Sequence, residues 1–150
     1  MLQPHALAGT PLAWPGSRRV RLESPPLVYE AQRMPLVNVY TSAPSLPDDR
    51  ASALLRKLSK LLAAGLHKPE SYVMTSLTPR ARMTFGGSDA PACYVEVKSI
   101  GNITAKTTEA LSKDLCATLN AELGVAQDRI YIEFADAPGH LWGFNGGTFG

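Results

Sequence analysis

The sequence predicts an α+β fold: a two-layer sandwich in which two helices cover one face of a four-stranded sheet. Residues 34–150 carry the same order of elements twice, a strand, then a helix, then a strand. The same spacing separates Pro35 from Tyr72 and Tyr94 from Tyr131, and each time it leads from one strand into its successor. Residue identity between the halves is weak, so this order indicates a structural repeat of two βαβ units side by side.

The first unit begins with a short strand over residues 35–40, whose β-branched and aromatic side chains favour a half-buried pleated surface. A capping-box-like S-x-x-D pattern at residues 45–48, with Pro47 in the first turn, predicts the start of a helix. Gly65 is expected to end that helix, and residues 71–77 form the second strand. The apolar helix positions recur at the spacing of one face: Ala51, Leu54, Leu55, Leu58, Leu61 and Leu62.

The second unit follows a glycine-rich stretch at residues 86–89, which punctuates the middle of the domain. Residues 93–99 alternate between valine and polar side chains, which predicts a strand with two different faces. A helix over residues 104–123 ends at Gly124 as its C-cap, and residues 129–134 form the last strand. The leucines along one side of this helix are Leu111, Leu115, Leu119 and Leu123.

A single copy of this sandwich would leave two sheet edges unpaired, and unpaired edges invite pairing with another chain. Oligomerisation is therefore expected. The tail over residues 141–150 is too glycine-rich to fold on its own, yet it carries Trp142, Phe144 and Phe149. Docking of the tail on a neighbouring subunit would cover these rings.

The composition indicates one globular domain, because 150 residues with 45% hydrophobic content suffice for a single core. The 15 basic and 13 acidic residues are scattered along the chain, so no nucleic-acid partner is expected. No apolar run approaches the length of a membrane span, so no membrane association is expected. No metal and no cofactor are expected, because spacings typical of ligand or redox pairs are absent from His5, His67, His140, Cys93 and Cys116.

Residues 1–33 predict a disordered extension, because they are rich in proline and arginine and contain no uninterrupted apolar segment for secretion. Their arginine bias is compatible with an organellar transit peptide, although the prolines oppose an amphipathic helix. A segment included upstream by a misplaced start codon explains them equally well. The expected location is cytoplasmic, with secretion without a signal peptide, or import into an organelle, left open as alternatives.

Six short motifs stand in order along residues 34–150: Met34-Pro35 before the first strand, His67 to Val73, Phe85-Gly86-Gly87, Ser99-Ile100-Gly101, Asp128 to Ile132, and Asn145 to Phe149. Each motif is weak alone, but their joint order and spacing are specific. They resemble the macrophage migration inhibitory factor family of the tautomerase superfamily, in particular plant-type or protist-type members, here with an N-terminal extension.

The resemblance implies a duplicated βαβ sandwich assembled as a ring-shaped homotrimer, with active sites between adjacent subunits. It implies keto-enol tautomerisation of α-keto acids such as phenylpyruvate. Some members of the family also convert dopachrome-like compounds, and animal members signal as cytokines.

Moving a proton between the carbon and the oxygen of an enol requires a base whose pKa lies near ambient pH. A secondary amine is too basic in water, but an apolar pocket and a neighbouring cation both lower its pKa. By resemblance, Pro35 with a free amino terminus is the base and later the acid, and Lys68 binds the substrate carboxylate. Ile100 offers its backbone N–H to the substrate. The resemblance completes the pocket with Tyr72, Phe144 and, from the adjacent subunit, Tyr131.

Three positions depart from the family pattern. Glu133 stands where an asparagine often helps to bind substrate, and a carboxylate there would repel an acidic substrate unless it is protonated or turned away. Phe144 aligns with an expected tryptophan, so the pocket wall differs in shape. Cys93 stands alone near the place of a C-x-x-C found in some animal members, which predicts no thiol-oxidoreductase activity.

The extension is the largest departure. In the 150-residue chain the nitrogen of Pro35 is a tertiary amide, whose lone pair is delocalised and cannot act as a base. Activity would require translation from Met34 with removal of the methionine, or proteolysis that exposes Pro35; residues 1–34 would otherwise lie across the pocket mouth. Two alternatives are left open. One is a cytokine-like interaction protein that binds a protein receptor and whose own catalytic base is blocked. The other is a small βαβ binding domain outside this family.

Overall fold

The computed structural model describes residues 34–150, and the extension predicted over residues 1–33 lies outside the described residues. In chain order the strands and helices are β1 (Pro35–Thr41), α1 (Asp48–Gly65), β2 (Met74–Thr78), β3 (Cys93–Ser99), α2 (Ala105–Leu123), β4 (Ile130–Asp136), β5 (Gly143–Phe144) and β6 (Gly147–Thr148). Within this part of the chain, neither helix combines the length and hydrophobicity that crossing a membrane requires.

The main sheet has the strand order β2-β1-β3-β4. At its centre β1 and β3 run antiparallel, and each pairs in parallel with its own outer strand. Because α1 connects β1 to β2 and α2 connects β3 to β4, each half is one βαβ unit. Alternate side chains of the central strands are fully buried, namely Val37, Val39, Val95 and Val97. The predicted duplicated sandwich is confirmed.

Both helices cover the same face of the sheet with leucines spaced along one side. The buried leucines are Leu54, Leu58 and Leu62 in α1 and Leu111, Leu115 and Leu119 in α2. They form one core with the valines of the sheet. The helices approach closely at Gly65, where an added Cβ would lie 2.5 Å from Cδ2 of Leu111. A glycine at the end of α1 therefore also serves helix packing.

The start of α1 lacks the capping box predicted at residues 45–48. Pro47 is the cap residue and not a first-turn residue, and no side chain caps the helix. Instead, two acidic residues in the first turn interact favourably with the positive end of the helix dipole. A capping box does open α2, where Thr104 and Thr107 each accept a hydrogen bond from the other's backbone N–H. Gly124 ends α2 in the left-handed conformation (φ 68°), as predicted.

The second strand is shorter at its start than predicted over residues 71–77. Glu70–Tyr72 form a 3-10 turn, closed by a hydrogen bond of 3.2 Å from the last N–H of the turn to the Pro69 carbonyl. Strand pairing begins only at Met74, which lies opposite Leu36. The proline before the turn directs the chain into it, a local effect that a count of β-favouring residues does not register.

The tail, expected to gain order by docking on a neighbour, forms a hairpin within the chain. β5 and β6 pair antiparallel, and the turn between them holds Asn145 (φ 49°) and Gly146 (φ 81°) in the left-handed region, the pattern of a type I′ turn. The rings of Phe144 and Phe149 stack with centroids 5.6 Å apart. Contact of this hairpin with another subunit stays a prediction.

Candidate active site

Pro35 opens β1 at one end of the sheet. Its side chain is buried, and it pairs with Ser99 at the end of β3, which in turn pairs with Asp136 at the end of β4. A proline is well tolerated as the first residue of a strand because it has no N–H to donate to the ladder. In this sequence its nitrogen forms a peptide bond with Met34, which is 8% exposed. Pro35 therefore lies beside the segments that leave β3 and β4.

Lys68 is the only buried charged residue in the part of the chain that the structure describes, and it is 6% exposed. It leaves α1 with its backbone N–H donating to the Ala63 carbonyl at 2.9 Å. Its ammonium Nζ donates to the Ile100 carbonyl at 2.8 Å. Burial lowers the pKa of Lys68, and the nearby Asp136 carboxylate opposes this by raising it. Lys68 is therefore a partly desolvated cation. It is bonded to Ile100, which directly follows Ser99, the residue that pairs with Pro35.

Ile100 lies in a turn that is fixed on both sides. The Ser99 hydroxyl donates to the Gly101 carbonyl at 3.1 Å, and the Gly101 N–H donates to the Asp136 carboxylate at 2.8 Å. Gly101 adopts φ 73°, a conformation that glycine reaches without strain. The turn holds the Ile100 carbonyl in place for Lys68. Asp136 was missed at the sequence level, because only the strand register brings it to this turn.

An aromatic wall stands at the same end of the sheet. Tyr72 precedes β2, which begins beside β1, and its ring meets that of Phe144 edge-on with centroids 6.0 Å apart. Phe144 stacks on Phe149 in turn. These rings line a cavity of about 230 Å³ together with Asn145, Gly147 and Thr148. The structure thus brings Tyr72 and Phe144 together, at the sheet end that holds Pro35, Lys68 and Ile100.

Tyr131 and Glu133 lie elsewhere on the same chain. Tyr131 pairs with Tyr94 near the opposite end of the sheet and is 67% exposed. It stands five residues before Asp136 in β4, which is about 17 Å along a strand. One subunit therefore cannot bring Tyr131 to its own Pro35. The two tyrosines share this end with a second cavity of about 250 Å³.

Glu133 accepts a hydrogen bond from the Tyr94 hydroxyl. This bond, with burial and nearby charges as lesser causes, raises the pKa of Tyr94 to about 12. A phenol that donates to a carboxylate loses its proton less readily, because ionisation would put two negative charges together. One oxygen of the Glu133 carboxylate is therefore bonded to Tyr94.

Arg129 organises the loop around Tyr131, and sequence reasoning missed this role. Its guanidinium donates to four backbone carbonyls at 2.7 to 3.3 Å, those of Phe85, Ser88, Ala90 and Pro91. It also lies over the Phe85 ring at 5.3 Å, and that ring contacts Tyr131 with centroids 4.8 Å apart. Arg129 lies in the Asp128 to Ile132 motif, but the motif does not indicate which loop the Arg129 guanidinium binds.

The two cysteines and the possible metal ligands were also examined for reactive thiolates and ligand clusters in the described part of the chain. Burial raises the pKa of the Cys93 and Cys116 thiols, which disfavours the reactive thiolate. Among residues 34–150, no group of three or more His, Cys, Asp or Glu side chains could hold a metal ion.

The duplicated sandwich, with a proline opening its first strand beside a buried lysine, is the arrangement expected of the tautomerase superfamily that the sequence motifs resemble. Comparison with known proteins shows which family of this superfamily the chain matches. The family model "Macrophage migration inhibitory factor (MIF)" matches residues 34–150. A migration inhibitory factor homolog of Brugia malayi is 38% identical over 117 residues, which cover 78% of this chain and 100% of the homolog. The homolog of Trichuris trichiura is 37% identical over 112 residues, 74% of this chain and 98% of its own.

Solved structures of macrophage migration inhibitory factors also match the fold of this chain. The crystal structure of a homologue from Prochlorococcus marinus matches with a TM-score of 0.74 and 50% identity, covering 77% of this chain and 99% of that one. The protein from Toxoplasma gondii matches with a TM-score of 0.71 and 32% identity, over 75% and 98% of the two chains. The chain belongs to the macrophage migration inhibitory factor family.

Proposed function

We propose that this protein, when its chain begins at Pro35, is a keto-enol tautomerase that acts on phenylpyruvate-like α-keto acids. The observation that carries the proposal is the buried Lys68 ammonium, bonded to the Ile100 carbonyl beside the first residue of β1. Desolvation and this cation would both lower the pKa of a free proline amine next to them, which suits a base that works near neutral pH.

In this proposal the Pro35 nitrogen removes the proton from one end of the enol system and returns it to the other. Lys68 binds the substrate carboxylate by a charge-assisted hydrogen bond. The Ile100 N–H binds a substrate oxygen on which negative charge develops. The aromatic wall of Tyr72, Phe144 and Phe149 gives the phenyl ring an apolar surface. Dopachrome-like compounds, which also carry a ring beside a carboxylate, are a second substrate class for the same pocket.

The proposed assembly is a homotrimer with its sites between adjacent subunits. Its support here is the distance between the two ends of one subunit's sheet. Tyr131 is exposed and lies far from its own Pro35, although the family resemblance puts it in the pocket. An adjacent subunit would supply Tyr131 and Glu133 to the site. A monomer in sedimentation at working concentration would contradict this arrangement.

A second candidate function follows from the peptide bond before Pro35. In the 150-residue chain the nitrogen is an amide, which is no base, and the preceding Met34 is buried. We propose that a chain which retains these residues is an interaction protein without catalysis, cytokine-like in action, with a protein receptor as its partner. The names of the relatives, migration inhibitory factors, support this candidate.

Three versions of the chain separate these candidates: one that starts at Pro35, one that retains only Met34 before it, and the full 150 residues. The test is the ultraviolet absorbance of the phenylpyruvate enol as it decays, with the intact mass of each protein confirming its first residue. We expect turnover only from the version with a free Pro35, and its loss in Pro35→Gly. The version with Met34 alone isolates the amide effect from the bulk of residues 1–33.

Equal turnover by the full chain would reject the role of the Pro35 amine. Mass spectrometry of the protein taken from its native cells then decides which candidate operates there. A first residue at Pro35 supports the enzyme, whether it arises by translation from Met34 or by removal of residues 1–34. A retained Met34 supports the interaction protein.

A further inference from the structure

Two turns carry the proposed substrate-binding residues, and both contain left-handed backbone. Lys68 follows His67 (φ 54°) at the end of α1, and Ile100 precedes Gly101 (φ 73°) and Asn102 (φ 65°) after β3. Glycine adopts this conformation freely and asparagine tolerates it, whereas most other side chains are strained by it. We therefore ask which hydrogen bonds hold each turn in this backbone conformation.

Two hydrogen bonds cross between these turns in opposite directions. The side-chain amide of Asn102 donates to the Leu66 carbonyl at 2.8 Å, and Lys68 Nζ donates to the Ile100 carbonyl at 2.8 Å. Leu66 is fully buried, so the Asn102 amide is tied to a fixed point of the core. The Asn102 carbonyl accepts a bond of 2.8 Å from the Thr107 hydroxyl, which anchors the same residue to the start of α2.

We propose that Asn102 is a positioning residue, which holds the Lys68 turn and the Ile100 turn at a fixed separation. Its meaning for catalysis rests on the proposed function, whereas the coupling between the two turns is a property of the fold. The Asn102–Leu66 bond spans the same gap as the Lys68–Ile100 bond. Without the Asn102 amide, the Lys68 ammonium and the Ile100 N–H would meet a substrate in a less defined arrangement.

The variant Asn102→Gly removes the amide while keeping a residue that adopts the left-handed backbone. Asn102→Asp, as a second variant, keeps the shape of the side chain and loses the donor. Arg80→Gly is the matched control, because Arg80 is an exposed residue with φ 57° beyond the end of β2 that lies away from Pro35. All three are made in the chain that starts at Pro35.

Hydrogen–deuterium exchange of the backbone, followed by mass spectrometry, reads the coupling directly. We expect both Asn102 variants to exchange faster over residues 66–68 as well as over residues 100–104, and Arg80→Gly to change neither segment. We also expect KM for phenylpyruvate to rise about fivefold with kcat within about twofold, the effect of about one neutral hydrogen bond. Faster exchange confined to residues 100–104, with KM unchanged, would overturn the inference.

The two proposals fail separately. If no chain that starts at Pro35 turns over an enol substrate, the proposed function is rejected, and the exchange over residues 66–68 still decides the role of Asn102. If the parent chain is active and the Asn102 variants match it in both exchange and KM, only the positioning role is rejected.

Discussion

Lys68→Gln removes the buried charge of the candidate site and keeps a side-chain donor near the Ile100 carbonyl. A hydrogen bond to a charged group contributes about 1.5–3 kcal/mol. Since about 1.4 kcal/mol corresponds to a tenfold change in rate, kcat/KM for phenylpyruvate should fall roughly 10- to 150-fold. The assay is the enol absorbance of phenylpyruvate with protein that starts at Pro35, compared at equal concentration with the unsubstituted chain.

The stability of this variant and of Lys68→Met separates charge from hydrogen bonding. Methionine leaves the Ile100 carbonyl without the 2.8 Å bond that Lys68 donates. An unsatisfied buried acceptor costs roughly 1–3 kcal/mol, so the methionine variant should unfold at lower urea concentration than the glutamine variant. Both should lose turnover to a similar degree, because both lack the charge.

A neutral substrate and the pH dependence complete the test. The methyl ester of phenylpyruvate lacks the carboxylate, so Lys68→Gln should change its turnover by less than about twofold. A lysine is charged below its pKa, and burial lowers the pKa of Lys68. Lys68 should therefore lose its charge, and KM for the acid should rise, at a lower pH than with an ordinary lysine. Because arginine keeps its charge, Lys68→Arg should remove this rise. Equal losses on acid and ester, or no loss on the acid, would refute carboxylate binding by Lys68.

Three further tests probe the fold and the far end of the sheet. Leu58→Ala, at a fully buried site of α1, should cost about 2–5 kcal/mol in urea unfolding, whereas Leu141→Ala, at a 69% exposed site, should change little. Glu133→Gln should lower the pKa of Tyr94 from about 12 towards the ordinary value, read by ultraviolet titration of tyrosinate; an unchanged titration would contradict the bond. Gly124→Ala should cost roughly 1–2 kcal/mol through its left-handed backbone (φ 68°), and Gly124→Asn less; equal losses would contradict that cause.

Residues whose effect is local and periodic were predictable from the sequence. The leucines of both helices and the valines of the two central strands follow spacings set by helix and strand geometry, so the core and the duplicated architecture were predicted. The signals at element ends were less reliable. Pro47 became a cap residue and Tyr72 part of a 3-10 turn, because these positions depend on where the chain must turn to pack and not on intrinsic preference.

The candidate site was predictable only in part. The resemblance named Pro35, Lys68 and Ile100, and the structure places them together. It gave no indication of Asp136 or Asn102, because their roles depend on strand register and on turns that meet across the fold. Arg129 stood inside a recognised motif, yet its four carbonyl partners lie 38 to 44 positions earlier in the chain. Long-range partners of this kind leave no trace in a local pattern.

The separation of Pro35 and Tyr131 along one sheet has a consequence for mixtures of defective chains. If each site takes Lys68 from one subunit and Tyr131 from the next, a chain with only its lysine replaced and a chain with only its tyrosine replaced each have every site impaired when alone. Hybrid rings formed from both would contain some interfaces that are intact on both sides. Co-refolding the two impaired chains would then restore part of the lost activity by complementation between subunits.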